Sequence, residues 1–150
     1  MNKLNYKSIL IAFVFLCIGS FSSKAESSLN ALSDIKGVEY IYISESMLNS
    51  MGGKAPIEML SAISGLTSVE ILVTESETSM SRIKNCIPEI VKGLKLESKV
   101  KDEDESVSFY GVKSGKFYSE LLMIMEEDDE IVIIKLKGKI DTAAIKELID

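Results

Sequence analysis

The 150-residue sequence contains no histidine and no tryptophan, and only two cysteines and two prolines. The missing histidine excludes Ser-His-Asp and Cys-His catalysis and every histidine-ligated zinc site. Without tryptophan, sugar hydrolysis by paired carboxylates lacks its usual aromatic walls, and the acids here cluster at turns instead. Positive charge is also scarce, with 17 Lys and Arg against 23 Asp and Glu, a net charge of −6.

What is present begins with a leader. Lys3 and Lys7, the apolar run at 8–21 and the small-x-small triplet Ser23-Lys24-Ala25 read as a secretory signal peptide over residues 1–25. The apolar run is shorter than the roughly 20 residues that span a bilayer. Cleavage after Ala25 removes Lys3, Lys7 and Lys24, so the remaining chain carries 14 basic and 23 acidic groups, a net charge of −9. Such a surface repels phosphate backbones and anionic headgroups, which argues against nucleic acid and acidic membranes as partners. A competing route is lipoprotein processing at Cys17, which would anchor the chain to a membrane. Leu16 precedes it where a small residue is expected, and apolar sequence continues to Phe21. With the leader gone, Cys86 is the single thiol, so no internal disulfide forms, and it reads as a small apolar residue on a helix face.

Along the remaining chain, Leu29, Leu32 and Ile35 predict a short amphipathic helix stopped by Gly37. Val38–Ser44 is a β-branched and aromatic run, apolar on both faces, and therefore expected at the centre of a sheet. Ser44 or Ser46 suits the cap of a short helix carrying Met47, Leu48 and Met51, and Pro56 opens another that ends at Gly65. Leu66–Thr74 is a second strand, and a strand, helical crossover and strand predict a parallel pair. Apolar residues then recur at helical spacing from Glu77 to Leu94, and Pro88 inside this run predicts a kink or two helices meeting near Ile87. Four strands follow, Leu96–Lys101, Ser106–Val112, Phe117–Met125 and Ile131–Lys137, joined by short polar links as an antiparallel meander. Asp141 caps a terminal helix. The expected fold class is α+β: one domain over 26–150, a mixed sheet of about six strands, a C-terminal meander, and helices mainly on one face.

The stretches GVEYIYISESML (37–48), LTSVEILVTE (66–75) and the strand ending in Lys137-Gly138-Lys139-Ile140-Asp141 resemble a family of secreted bacterial proteins catalogued as domain of unknown function 4252. The resemblance covers nearly all of residues 26–150 and implies an exported or envelope-associated domain. It carries over no catalytic residue.

Several motifs were weighed for chemistry. Ser33–Lys36 and Ser81–Lys84 match S-x-x-K, but lack the S-D-N and K-T-G companions and read as solvated helix faces. Residues 111–117, GVKSGKF, have too few residues between their glycines for a phosphate loop and read as a hairpin turn. Asp102, Asp104 and Ser106 alternate like calcium ligands without the central glycine and distal glutamate of an EF-hand loop. Tyr40, Tyr42, Tyr110 and Tyr118 would form an amphipathic platform if they shared an uncovered face; packing into the core is the competing expectation. No residue is therefore assigned as catalytic, cofactor-binding or metal-binding, and no cofactor is implied. The expected function is an exported, non-catalytic binding or protein-interaction module of the cell envelope, in the periplasm or secreted. Its partner would be an unidentified protein or small ligand, with membrane association only if Cys17 is lipidated. The alternatives are an enzyme using carboxylates, a Ser/Lys pair or a metal, and an accessory of envelope stress or signalling.

Overall fold

Two runs rich in β-branched and aromatic residues form strands in the computed structural model over the residues their patterning predicts, β1 (Val38–Ser44) and β2 (Leu66–Thr74). The structure describes residues 28–51, 65–141 and 143. The signal peptide, the helix expected from Pro56 and, apart from Ala143, the helix expected after Asp141 lie outside these residues. Within them, helix α1 (Ser28–Ala31) and a 3-10 turn (Leu32–Asp34) precede β1, and α2 (Glu45–Met51) follows it. After β2 come α3 (Glu77–Ile90), β3 (Lys95–Lys101), β4 (Glu105–Ser114), β5 (Phe117–Glu127) and β6 (Ile131–Asp141). The six strands make one sheet in the order β1-β2-β6-β5-β4-β3, antiparallel throughout, and the fold is α+β with the expected meander.

Two expectations about β1 are corrected. β1 and β2 are antiparallel, not parallel, because Ser44 pairs with Ser68 and the intervening chain leaves and re-enters at one end of the sheet. The sheet is accordingly not mixed. Alternation of helix and strand does not encode strand direction, which depends on the end of the sheet at which the connection re-enters. β1 is also an edge strand rather than a central one. It is apolar on both faces because both are covered: Ile43 belongs to one core cluster, while Val38 and Tyr40 pack against the other.

Those clusters occupy opposite faces. On one, Leu72, Leu122, Ile124, Ile131 and Ile133 meet Leu29 of α1 and Met80, Ile83 and Ile90 of α3. On the other, Ile43, Val69, Ile71, Leu121, Ile134 and Ile140 meet Leu48 of α2. Among the described residues the helices thus lie mainly on one face. α3 remains a single helix, with Pro88 in its last turn, so the hydrogen bond it cannot donate is lost only near the helix end. Its start is fastened by hydroxyls: Ser76 caps the Ser79 N–H at 3.2 Å, Ser79 bonds Thr74, and Thr74 donates to the Gly37 carbonyl at 3.1 Å.

β6 runs four residues past its predicted end because Gly138 lets it continue. There β6 meets the start of β2, and the Lys139 N–H donates to the Gly65 carbonyl at 2.8 Å. A Cβ on Gly138, whose φ is +139°, would lie 2.8 Å from both Leu66 Cα and Thr67 N, inside backbone that cannot turn away. Gly138→Ala is expected to destabilise the fold by about 3 kcal/mol, read as a lower urea midpoint with an unchanged slope. An unaltered midpoint would contradict the close approach described here.

Candidate functional site

Direct opposition of residues across antiparallel strands defines which side chains share a face. On the α3 face, the row Tyr42, Glu70, Lys135, Leu122 and Tyr110 crosses β1, β2, β6, β5 and β4. It carries a polar band into an otherwise apolar layer. Glu70 is 2% exposed and accepts a hydrogen bond from the Tyr40 hydroxyl at 2.5 Å. The Lys135 ammonium lies 2.9 Å from the Glu120 carboxylate, both side chains being largely enclosed. Enclosed charges are tolerated when paired, and removing one member of such a pair costs about 3 kcal/mol. These groups satisfy one another, so the band holds the register of β2, β6 and β5 rather than presenting itself to a ligand.

The tyrosine platform does not form. Tyr40 and Tyr110 pack against the α3-side core, whereas Tyr118 is buried on the opposite face. Its ring covers Gly111, where an added Cβ would meet Cδ1 at 2.7 Å. Glu97 is the extra residue of a bulge between Leu96 and Ser98 on β3, and it accepts a hydrogen bond from the Tyr118 hydroxyl. Burial first, then this bond and the charge of Glu97, push the Tyr118 phenol above its ordinary value.

The other motifs resolve plainly. The Ser33 hydroxyl donates to the Asn30 carbonyl at 2.6 Å, and Lys36 is exposed. Ser81 and Lys84 are exposed on α3, and Cys86 is half-buried against the α3-side core. Asp102 accepts from the Glu103 N–H at 2.7 Å in the β3–β4 turn, and no group of three or more metal-ligating side chains converges among the described residues.

Residues 111–117 do form a strand–turn–strand, and that turn borders a recess. Lys113, Gly115 and Lys116 line a recess of about 350 Å³ together with Phe117 and Asp141. Register brings these together: Ser114 pairs with Phe117, and Phe117 with Asp141 at the end of β6. Lys139 Nζ stands 4.4 Å above the Phe117 ring, and Lys113 Nζ 5.6 Å from the Tyr118 ring. Lys137 pairs with Glu120 one step further along β6. Lys113, Lys116, Lys137 and Lys139 carry no ion pair among the described residues. The carboxylate in the recess, Asp141, accepts the Ala143 N–H at 2.9 Å, the capping contact expected of it. A recess of this kind offers positive charge and an aromatic face, which suits an anion bearing an apolar group. The sequence places Lys113 and Lys116 in a hairpin turn and Lys137 and Lys139 at a strand end, but does not show that strand pairing brings the two together.

A family model described as Domain of unknown function (DUF4252) matches residues 32–148. No curated protein and no solved structure matches the chain.

The Tyr118 shift has a directional consequence. The folded protein holds the phenolic proton more tightly than the unfolded chain, so the stability tied to it is complete below about pH 10 and falls as pH rises through the raised folded value. Denaturant titrations between pH 9 and 11 should show this fall, and Tyr118→Phe should remove that component. Equal pH slopes in both proteins would contradict the assignment.

Proposed function

The chain belongs to the DUF4252 family of domains of unknown function, and on that premise we propose that it is an exported, non-catalytic binding module of the bacterial cell envelope that takes anionic groups at the recess between the β4–β5 turn and the end of β6. Lys113 and Lys116 lining a recess of about 350 Å³, with Lys139 above its Phe117 and none of the three in an ion pair among the described residues, carry this proposal. Positive charge drawn together at one place in an acidic chain supports recognition, since scattered lysines would serve solubility equally well. The volume lies at the small end of ligand sites, so the moiety bound is compact, such as a carboxylate or phosphate with an apolar neighbour over Phe117. Export is supported by the leader at 1–25, whose removal makes the rest of the chain more acidic and the lysine cluster more distinct.

Two measurements test this. Intact mass of protein from its own envelope fraction should correspond to a chain starting at Glu26, whereas a lipid on Cys17 or a retained leader would overturn simple export. Phenyl phosphate and a blocked acidic pentapeptide, titrated at low salt, should perturb the amides of Gly115, Lys116 and Phe117. Replacing Lys113, Lys116 and Lys139 together by Gln should weaken the stronger probe about tenfold, as three partly screened charge contacts predict. Perturbation elsewhere, or unchanged affinity in the triple variant, would remove the recess from consideration.

A further inference from the structure

The hairpins of the meander alternate ends, and so does the charge. The β3–β4 turn and the β5–β6 turn lie together, because Lys101 pairs with Ser106, Glu105 with Glu127 and Glu126 with Ile131. Every residue from Asp102 to Glu105 and from Glu126 to Glu130 is acidic, and Glu103, Asp104, Asp128 and Asp129 are exposed. The β4–β5 turn and the last residues of β6 lie at the other end, with Lys113, Lys116, Lys137 and Lys139. β4, ten residues long, separates the two ends by about 30 Å. The described sheet is therefore electrically polar along its strands, acidic turn tips at one end and a lysine-rimmed recess at the other. That separation exceeds the Debye length of about 8 Å at physiological salt, so the two ends act independently.

We propose that the recess takes the acidic turn tips of a second copy of this chain, giving head-to-tail self-association; the proposal rests on the anion-binding reading of the recess. The acidic residues sit in the turns that join paired strand ends, while Lys113 and Lys116 line a hollow and Lys139 stands above its Phe117, so the two ends are complementary in charge. Val112, 37% exposed on the neighbouring strand, adds apolar surface at the same end. The contact is heterologous, one surface against a different one, and does not close on itself in a pair. Each added copy leaves one acidic and one basic end free, and the assembly lengthens with concentration.

Sedimentation of the full protein at about 20 mM and at about 300 mM NaCl tests this, since the screening length falls severalfold between them. Association at the lower salt that weakens about tenfold at the higher is expected. Association that strengthens with salt would show only relief of net repulsion and would overturn the proposal. Two variants sharpen the result. One carries Lys113→Gln, Lys116→Gln and Lys139→Gln; the other carries Glu103→Gln, Asp104→Asn, Asp128→Asn and Asp129→Asn. Each alone is expected to be a folded monomer by circular dichroism and sedimentation. Mixed, they keep one compatible pair of ends and should form a 1:1 dimer that grows no further; no dimer on mixing would overturn the proposal. A wild-type protein that stays monomeric yet still binds the acidic pentapeptide would end the self-association while leaving the recess a binding site. Loss of both would end both.

Discussion

The seam between β2 and β6 holds this molecule together. It joins the β1–β2 pair to the four-stranded meander, and the two partners lie at 66–74 and 131–141. Such a distant pairing must offset the entropy of closing a long loop before it contributes stability. Eight residue pairs and a core on both faces do so. At one end the seam tightens until only glycine fits, where Gly65 and Gly138 bring two backbones into contact. In its middle, the Glu70–Tyr40 bond and the Lys135–Glu120 pair oppose a one-residue slip, which would move charge into the apolar layer on the other face.

How much of this could be read beforehand differs between levels. The ends of β1 and β2 were legible because β-branched runs stop abruptly at Ser44 and Thr74. Strand direction was not, since it depends on where the connection packs rather than on local pattern. The edge position of β1 was misjudged for a related reason: two apolar faces report two covering layers, whatever the number of neighbouring strands. β5 and β6 extend past their predicted ends because Glu126 and Glu127 read as turn and Gly138 as the stop of the strand. In a hairpin, ladder bonds continue past the last buried residue.

The candidate site was less legible than the fold. Motif reading looks for side chains close in sequence, whereas the recess is assembled from the β4–β5 turn and the end of β6, some twenty residues apart but joined by the Phe117–Asp141 pairing. Net charge argues against anionic partners, but only as a sum. A sum is blind to position, and antiparallel geometry sorts the charges by end.

The bulge at Glu97 has a further effect. It lets the carboxylate meet Tyr118, but it also breaks the even spacing of N–H and C=O groups along β3. Lys95, Lys99 and Lys101 stand on the same short strand, all exposed. An incoming strand from a misfolded or crowded neighbour would find neither a regular ladder nor a neutral surface there. The meander's outer border thus resists lateral sheet growth, the first step toward a cross-β aggregate, and the residue that guards it is the one that satisfies a buried phenol.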